Sequence, residues 1–574
     1  MVNVTIDGLS ISVPEGTTVL QAAKQLNIKI PTLCFHPDQD VKANCRICVV
    51  EIEGQQLLVP ACSEPVREGM VVRTNTRRVR RARMVILELI FAHHSKDCLQ
   101  CHRNGNCELQ GVAQFMHFNR ELRFTHEDRG EGIDYSSPCI TRDSNKCIAC
   151  NRCVYTCSHV QTVHALSRQG RGFSTVIRPA YGKKLGETVC IGCGQCIQSC
   201  PVGALNAHDD RGVVWDMIDD DSKEVVAQVA PAVRITIAEA LGEEPGVVST
   251  GRLVTAMKRL GFDKVFDTDF SADLTIMEEG TELLNRLSGG GVFPMITSCS
   301  PGWVKFCETY YPDLIPNLST CKSPQGMFGA VIKEYYAKRN GKDPNSVCSV
   351  SVMPCTAKKF EAKRPELGRD GYRDIDAVIT VQELARMIEQ AGIDFKNLPE
   401  TPFDDPFGLG SGAGEIFGVT GGVMEAALRT VYEIVTKQEL KSIDFHDVRG
   451  FEGIKEATIQ VGDLPVKVAV AHGLGNARKL MDAIREGKAD YHFIEIMACP
   501  GGCIGGGGNP WKDWTKMDHR YDAVYKTDRE LPVRKSHENP AIVRIYQDFF
   551  GEPGGHLAHE LLHTHYTDRS DLLK

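Results

Sequence analysis

The stretch from Met497 to Cys503 reads Met-Ala-Cys-Pro-Gly-Gly-Cys and places two thiols in a turn rich in proline and glycine. Two earlier stretches are built alike. Thr297 to Trp303 reads Thr-Ser-Cys-Ser-Pro-Gly-Trp, and Met353 to Lys359 reads Met-Pro-Cys-Thr-Ala-Lys-Lys. Thiolate ligands select iron–sulfur clusters, zinc or copper(I). Glycine beside them lets backbone N–H groups approach a bulky inorganic centre. The three stretches therefore indicate thiolate-bound inorganic chemistry.

The composition is that of a soluble globular protein with several domains. The chain has 574 residues, of which 42% are hydrophobic and 24% charged, and its formal net charge is −8. A negative charge disfavours nucleic acid as a partner and suits the docking of small redox carriers. The 23 cysteines lie mostly two or three residues apart, which suits clusters better than disulfides. With no apolar run that could cross a bilayer and no signal-peptide pattern, we expect a reducing, cytoplasmic location.

The expected fold is modular α+β, and its first module spans residues 1–78. Polar and apolar residues alternate at Val2–Ile6 and at Cys48–Ile52, and an amphipathic stretch lies at Thr18–Leu26. This pattern predicts strands with one helix. The module has four cysteines, Cys34, Cys45, Cys48 and Cys62. They resemble those of a plant-type 2Fe–2S ferredoxin, although the gap between the first two is longer than the four residues of the plant pattern. Their layout is closer to the β-grasp 2Fe–2S domain that heads hydrogenases and the large iron–sulfur subunit of respiratory complex I. The expected ligands are Cys34, Cys45, Cys48 and Cys62.

Residues 79–120 begin with a basic helical stretch, Arg80–Ile90, and continue with a histidine and three cysteines. The His-x3-Cys-x2-Cys-x5-Cys spacing resembles the His-ligated 4Fe–4S domain of the same two families. An imidazole in place of a thiolate makes such a cluster less negative and should raise its potential. We interpret His93 and His102 as ordinary surface residues. The expected ligands are His94, Cys98, Cys101 and Cys107.

Residues 121–209 contain two runs of the Cys-x2-Cys-x2-Cys-x3-Cys type, which is the two-cluster bacterial ferredoxin pattern. In that fold the fourth cysteine of each run binds the other cluster. The first run has Ser158 where proline is usual, which affects the turn and not the ligand count. Zinc is a weak competitor, because zinc sites rarely repeat four closely spaced cysteines. One predicted 4Fe–4S site has Cys147, Cys150, Cys153 and Cys200, and the other has Cys190, Cys193, Cys196 and Cys157.

From residue 210 onward, the pattern of apolar and polar residues indicates longer α/β elements. Val225–Val229, Ser349–Met353 and Val466–Val470 read as buried strands, whereas Asp273–Leu287, Val381–Ala391 and Asn476–Arg485 read as helices. We expect a two-lobed catalytic domain at 210–530. A helical appendage at 531–574 should contain helices at Pro540–Phe550 and His556–His563. We interpret His556, His559 and His563 as solvated helix surface in preference to metal ligands.

The three thiol stretches closely resemble the signature loops of the FeFe-hydrogenases, and the resemblance extends over essentially the whole chain. It implies an H-cluster, which is a 4Fe–4S cubane bridged to a diiron unit that carries CO, CN and a dithiolate and that separate maturation proteins build. Cys355, Cys499 and Cys503 match cubane ligands, with Cys503 at the bridging position. Lys358 matches a donor to the cyanides. The matching pocket residues are Ala230, Pro231, Pro324, Gln325, Met353, Phe417, Gly418 and Met497.

The resemblance also implies a proton relay that runs from thiol through water, carboxylate and hydroxyl to a second carboxylate. The matching residues are Cys299, Glu279, Ser319 and Glu282, with Arg286 towards the surface. The competing interpretation is that Glu282 and Arg286 form an ordinary i,i+4 surface pair. Buried relay carboxylates should have perturbed pKa values.

One position departs from the family pattern. The common first loop is Thr-Ser-Cys-Cys-Pro, whereas this chain has Ser300 after Cys299. Read by register, Cys299 stays the relay thiol and Ser300 becomes the fourth cubane ligand. Read by chemistry, Cys299 binds iron, because thiolate suits these clusters better than an alkoxide. Both interpretations stay open. Ala232 also stands where serine is common.

The sequence therefore predicts an FeFe-hydrogenase that interconverts H2 with protons and electrons. It should hold one 2Fe–2S cluster, three accessory 4Fe–4S clusters and the H-cluster. No convincing dinucleotide fingerprint is present, so NAD(P) chemistry would need another chain. Expected partners are ferredoxin, a flavin and iron–sulfur NAD(P)-binding subunit and a small 2Fe–2S subunit. The alternatives are a hydrogenase-like sensor or scaffold, or an electron-transfer subunit of the complex I type.

Overall fold

A computed structural model describes residues 1–119, 122–124, 132–369, 371–440, 442–462 and 464–574. The first module is a five-stranded mixed sheet with the order β2-β1-β5-β3-β4, packed on one helix. Thr18 caps that helix by accepting from the Gln21 N–H, as a capping box does. The predicted strand-rich module with one helix is present. Its elements are β1 (Val2–Ile6), β2 (Leu9–Val13), α1 (Val19–Gln25), β3 (Val49–Ile52), β4 (Val59–Pro60) and β5 (Met70–Arg73).

The cysteine-rich segments that follow contain short elements around a three-stranded sheet of order β10-β7-β6. A long basic helix, α2 (Arg77–Ala92), precedes them, as the sequence predicts. The expected boundary between residues 120 and 121 lies outside the described residues. The other elements are α3 (Glu108–Phe115), β6 (Ile133–Asp134), β7 (Ile140–Asp143), α4 (Arg152–Tyr155), β8 (Ser167–Gln169), β9 (Val176–Arg178), α5 (Gln195–Ser199) and β10 (Leu205–Ala207).

The large C-terminal part contains two four-stranded sheets. In the first, of order β12-β11-β14-β17, every neighbouring pair is parallel. In the second, of order β13-β20-β19-β18, only the β18–β19 pair is antiparallel. The strands are β11 (Glu224–Val229), β12 (Lys264–Asp267), β13 (Met295–Ile296), β14 (Val347–Met353), the hairpin β15 (Gly368–Arg369) and β16 (Tyr372–Arg373), β17 (Ala377–Thr380), β18 (Ile454–Val461), β19 (Leu464–His472) and β20 (Phe493–Met497).

Helices cover both sheets, so the central strands are buried on both faces and read as continuous apolar runs. The three predicted strands and three predicted helices of this region are all present, with ends shifted by a few residues. The helices are α6 (Arg211–Ile218), α7 (Pro231–Ala240), α8 (Thr250–Leu260), α9 (Thr268–Gly289), α10 (Pro301–Tyr310), α11 (Pro324–Val331), α12 (Ala357–Glu361), α13 (Val381–Gln390), α14 (Gly412–Glu415), α15 (Gly422–Thr436) and α16 (Leu474–Arg485).

The signature loops all follow the carboxyl ends of parallel strands. The stretch that begins at Thr297 follows β13, Pro354 follows β14, Ala498 follows β20 and Ala230 follows β11. In open α/β sheets, ligands bind in the crevice outside these strand ends. The two sheets therefore supply loops to one central site.

The C-terminal tail is more than an appendage. The helix α17 (Trp514–Glu530) precedes the tail. The tail's own helices are α18 (Pro540–Ile545), which continues as a π-helical turn to Phe550, and α19 (His556–Leu562). Ile545, Phe550 and Leu562 are buried in one core cluster with Phe270 and Leu274 of α9. Within the described residues, no helix combines the length and the apolar character that crossing a membrane requires.

Candidate metal centres and active site

The three thiol loops line one cavity between the two sheets. Cys355, Cys499 and Cys503 all contribute to its wall, and so do Cys299 and Ser300. Loop glycines permit this convergence: at Gly502 (φ +91°), an added Cβ would lie 2.6 Å from the Thr420 backbone nitrogen. The thiols of this cavity suit an iron–sulfur centre.

Most of the predicted pocket residues line this cavity. Gly418 is the exception: it lies behind the wall, where an added Cβ would contact Val524 and Ala232. The sequence analysis missed Thr268 and Ala272 of α9, because no cysteine or glycine marks them. The predicted residues that do line the cavity are Ala230, Pro231, Pro324, Gln325, Met353, Lys358, Phe417 and Met497.

Among the described residues, Lys358 is the one cation in the cavity wall, and it is buried. Its ammonium group donates to Ser323 Oγ at 2.6 Å, to Glu361 Oε2 at 2.8 Å and to the Cys299 carbonyl at 3.2 Å. Gln325 Nε2 also donates to Glu361 Oε2, at 3.0 Å. Glu361, which the sequence analysis missed, therefore holds the side chains of Lys358 and Gln325 in place.

The two cysteine runs of the ferredoxin-like segment line two further cavities. Each cavity takes three cysteines from one run and the fourth from the other. This is the grouping that the two-cluster pattern predicts. The larger cavity has Cys147, Cys150, Cys153 and Cys200, and the smaller one has Cys157, Cys190, Cys193 and Cys196.

Another cavity is lined by His94, Cys98, Cys101 and Cys107. Neither neighbouring histidine is part of its wall. The His93 ring lies 4.8 Å from the Phe173 ring, and His102 Nδ1 lies 3.3 Å from Arg386. The histidine that the spacing singles out is therefore the one that meets the three thiols.

The four cysteines of the first module lie in two close pairs. A hydrogen bond from the Cys45 thiol lowers the pKa of Cys34, and one from Cys62 lowers the pKa of Cys48. All 23 cysteines of the chain are free, so no disulfide competes for these thiols. Every group of residues predicted to bind a cluster thus offers reduced side chains at one place, which fits iron–sulfur clusters.

The smaller ferredoxin-like cavity adjoins the central one through Cys193, which lines both. Beside it, Lys512 Nζ donates to Gln195 Oε1 at 3.0 Å and to the Gly505 carbonyl at 2.8 Å. Burial lowers the pKa of Lys512 to about 8, although Cys499 and Cys193 favour its charged form. The sequence analysis missed Lys512, because no motif includes it.

Comparison with known proteins agrees with this arrangement. Residues 223–507 match the family model described as iron only hydrogenase large subunit, C-terminal domain, and residues 515–569 match iron hydrogenase small subunit. The chain is 49% identical to the NADP-reducing hydrogenase subunit HndD of Solidesulfovibrio fructosivorans, over the full length of both. It is 43% identical to iron hydrogenase 1 of Clostridium pasteurianum, over 99% of this chain and 100% of the relative. The chain belongs to the iron hydrogenase family.

Three further family models match the N-terminal part of this iron hydrogenase. They describe a 2Fe–2S cluster binding domain at 1–77, the iron–sulfur binding region of NADH-ubiquinone oxidoreductase G at 83–121 and a 4Fe–4S dicluster domain at 146–204. A solved structure of a HydA1 hydrogenase variant from Chlamydomonas reinhardtii covers 63% of this chain and 99% of its own length. It has 45% identity and a TM-score of 0.57. The chain is thus an FeFe-hydrogenase with iron–sulfur relay domains, and it acts on H2 at an H-cluster.

In this hydrogenase the inner part of the predicted relay, around Glu279, is less closely hydrogen-bonded than the outer part among the described residues. Neither carboxylate oxygen of Glu279 has a hydrogen-bond partner among the described residues. Burial, with a contribution from the Glu282 charge, raises the pKa of Glu279 to about 8, although the nearby Ser319 hydroxyl and Ser298 backbone N–H favour its charged form. Burial and the nearby Glu279 also raise the pKa of Cys299 well above its usual value. Glu279 therefore holds its proton near neutral pH.

The outer part is hydrogen-bonded throughout. Ser319 Oγ–H donates to Glu282 Oε2 at 2.9 Å, and Arg286 Nη2 donates to Glu282 Oε1 at 2.6 Å. The side chains of Glu282 and Arg286 are 13% and 12% exposed, so they are not the open surface pair of the competing interpretation. This half reaches from the buried Ser319 to the protein surface.

The interpretation of His563 as solvated helix surface is wrong. Its side chain is only 6% exposed, and its Nε2 lies 3.1 Å from Glu278 Oε2. The backbone beside it pairs with the segment that contains Ser319, because Thr564 N donates to the Thr320 carbonyl at 2.8 Å. Helical spacing alone could not reveal this contact across more than 240 residues. His556 and His559 are exposed, as expected.

Proposed function

We propose that this FeFe-hydrogenase is the catalytic chain of a larger complex that couples H2 to NAD(P) and to ferredoxin. The full-length similarity to a subunit of an NADP-reducing hydrogenase carries the proposal. In this complex a flavin and iron–sulfur subunit would bind the nucleotide, and a small 2Fe–2S subunit would complete the electron path. The absence of a dinucleotide fingerprint from this chain agrees with a nucleotide site on another subunit.

The proposed cofactors are one 2Fe–2S cluster, three accessory 4Fe–4S clusters and the H-cluster. The four groups of accessory ligands are those that the sequence predicts, and the cavities they line support the three 4Fe–4S sites. Cys355, Cys499 and Cys503 would hold the cubane of the H-cluster, with Cys503 as the bridge. When bound, the H-cluster supplies the heterolytic chemistry of H2 and the exchange of two electrons.

The residues of the cavity would do three things for that chemistry. Lys358 would offer a buried N–H donor to an anionic ligand of the metal unit, and Glu361 keeps its ammonium group in place. The apolar side chains of Met353, Phe417 and Met497 would keep bulk water out. The polar groups orient the bound centre, and the apolar wall makes their charges act more strongly.

Protons would leave through Cys299, Glu279, Ser319 and Glu282, with Arg286 at the outer end. A pKa near 8 lets Glu279 release and regain a proton near neutral pH, as a general acid and base must. A water between Cys299 and Glu279 would complete the inner part. The hydrogen-bonded outer part would then pass the proton from Ser319 through Glu282 towards solvent.

We assign the thiol relay to Cys299 and the fourth cubane position to Ser300. Among the charged groups that raise the pKa of Cys299, Glu279 acts most strongly, which suits a relay thiol. Ser300 Oγ accepts from the Ala498 N–H at 3.2 Å, directly beside Cys499. A serine at this position makes the cubane less firmly held than four thiolates would.

The test of this assignment uses protein that carries its iron–sulfur clusters but not the diiron unit. Electron paramagnetic resonance should detect the reduced cubane in Cys299→Ala, because its ligands remain. Ser300→Ala should lose part of that signal, and Ser300→Cys should strengthen it. Loss of the signal in Cys299→Ala alone would instead make Cys299 the ligand.

The test of the overall function uses the chain with its maturation proteins, under anaerobic conditions. Infrared spectra should contain CO and CN stretching bands that change under H2. A mixture with the nucleotide-binding subunit should reduce NAD(P) under H2, and the isolated chain should reduce only ferredoxin or an artificial acceptor. Clusters without CO and CN bands would favour the scaffold alternative. Reduction of NAD(P) by the isolated chain would overturn the proposal that the nucleotide is bound by another subunit.

A further inference from the structure

Glu282, Cys321 and His563 lie together at the outer end of the proposed proton route. Their ligand atoms, one oxygen, one sulfur and one nitrogen, all lie within 4.8 Å of one another. Glu282 belongs to α9, and Cys321 lies in the segment after Ser319. His563 directly follows α19. The three come from parts of the chain that only the fold brings together.

The backbone holds two of these residues in register. Cys321 and His563 form an isolated antiparallel bridge. On either side of it, Lys322 N donates to the Leu562 carbonyl and Thr564 N donates to the Thr320 carbonyl, both at 2.8 Å. The cysteine and the histidine therefore face one another as a property of the fold, and not through a chance meeting of flexible side chains.

We propose that these three side chains bind a zinc-class divalent cation and that the bound cation stops proton transfer through Glu282. Cysteine sulfur, imidazole nitrogen and carboxylate oxygen are the ligands that Zn²⁺ takes in proteins. Mg²⁺ and Ca²⁺ prefer oxygen ligands alone. Three protein ligands leave the fourth tetrahedral position for water.

The surroundings of His563 are those of a metal-bound histidine. Such histidines usually donate the second ring N–H to a carboxylate, which sets the tautomer and the ring orientation. Here His563 Nε2 faces Glu278 Oε2 at 3.1 Å, so Nδ1 is left to present a lone pair. Glu278 is itself fully buried and accepts from the Tyr546 hydroxyl and, at 2.9 Å, from Gly554 N. This support is wholly inside the protein.

Binding would need small movements only. Ligand atoms of a tetrahedral Zn²⁺ lie roughly 3.5 Å apart, given bonds of about 2.0–2.3 Å. Cys321 Sγ is already 3.7 Å from Glu282 Oε2. His563 Nδ1 would exchange the Thr320 hydroxyl at 2.7 Å for the cation. The side chains of Glu282 and His563 keep 13% and 6% of their surface exposed, which leaves a way in from solvent.

Glu282 would serve both as a zinc ligand and as a carboxylate of the proton route. The functional consequence of zinc binding therefore rests on the proposed relay. A carboxylate oxygen bound to Zn²⁺ no longer accepts the Ser319 proton. Arg286, which donates to Glu282 at 2.6 Å, would be repelled by the cation and would turn away. The site would thus be a reversible inhibitory site, and protons would compete with zinc for it.

The experiment uses the matured holoenzyme and Zn²⁺ as the probe. Zinc K-edge absorption reports only zinc, so the iron clusters do not interfere. We expect one tightly bound Zn²⁺ per chain with one sulfur and otherwise nitrogen or oxygen neighbours. Its binding should coincide with loss of H2 turnover. A zinc with four sulfur neighbours would lie in a cluster motif and would overturn the site.

Variants separate this site from other zinc positions. Cys321→Ser and His563→Gln should each weaken binding more than tenfold and remove the inhibition, and Glu278→Gln should weaken it by about 10- to 100-fold. His559→Gln, on the exposed face of α19, is the matched control and should bind zinc as the parent does. Unchanged affinity in both Cys321→Ser and His563→Gln would overturn the proposal.

Two readouts distinguish failure of the site from failure of the relay. If zinc binds with one sulfur neighbour but turnover is unaffected, the inhibitory role is overturned and Glu282 is not on the proton route. If turnover falls equally in the parent and in Cys321→Ser, zinc acts elsewhere and this site is overturned. Cluster content and circular dichroism of each variant establish that it has folded.

Discussion

The central cavity has a cluster side, next to Lys512 and Gln195, and a proton side, next to Glu279. The two sides are built in different ways. On the cluster side, Lys512 and Gln195 both hold the Gly505 carbonyl, at 2.8 and 3.0 Å. On the proton side, Glu279 is buried with no hydrogen-bond partner among the described residues. Electrons need only closely spaced centres in a rigid, dry surround, whereas protons move between groups in hydrogen-bond reach. A substitution on the cluster side should therefore shift the reduction potential of a cluster. A substitution on the proton side should interrupt proton transfer.

The largest effect should come from the proton side. Glu279→Gln keeps the volume of the side chain but removes its proton chemistry, so we expect turnover to fall about 10²- to 10⁴-fold. Hydrogen uptake and evolution assays on matured protein measure this directly. Thr281→Ala on the same helix is the control and should stay near the parent rate. A Glu279→Gln enzyme within a few-fold of the parent would remove Glu279 from the route.

A smaller effect is expected on the cluster side. Lys512→Met removes a partly buried cation between two proposed cluster sites. Without that cation, the negative charge that reduction adds to the cluster is less favourable. We expect the potential of the nearest 4Fe–4S cluster to fall by about 60 mV, a tenfold change in a one-electron equilibrium. Redox titration followed by electron paramagnetic resonance measures the shift. The control is Lys516→Met. The ammonium group of Lys516 pairs with Glu239 at 3.0 Å. Equal potentials in the parent and Lys512→Met would contradict the comparison.

The smallest effect is a pH dependence of stability. Burial raises the pKa of Glu279 from 4.5 to about 8, so between these values the folded protein binds more protons than the unfolded chain does. This contribution to stability is fully present below pH 4.5 and is lost as the pH rises towards 8. Relative to Glu279→Gln, the thermal midpoint of the parent should therefore decrease by a few degrees, about 2 °C or more, from pH 6 to pH 8. Parallel melting curves would show that Glu279 does not titrate in this range.

The cluster motifs could be predicted from the sequence because their ligands are near one another along the chain. Two residues between cysteines suffice to place thiols around one centre, so Cys147, Cys150 and Cys153 needed no tertiary information. Even the exchange of Cys157 and Cys200 follows from a repeat that is visible in the sequence. The strands and helices of the catalytic domain were predictable because their apolar runs and periods are long.

The residues that support the site were not predictable in the same way. Glu361 holds Lys358 and Gln325, but it stands in the sequence as one acidic residue among many. Lys512 belongs to no motif, and its importance comes from the neighbouring Cys193 and Cys499. His563 has the helical spacing of an exposed face, yet its partners are Glu278 and Thr320.

The sequence by itself determined the family, the cluster motifs and the residue types of the relay, because ligand spacing and loop glycines are local properties. Only the tertiary structure decided which buried carboxyl group has a raised pKa, which cation lies between two cavities and which cysteine faces His563. These properties depend on burial and on contacts between residues hundreds of positions apart. The desolvation that sets the pKa of Glu279 arises only when the two sheets and the tail close around it.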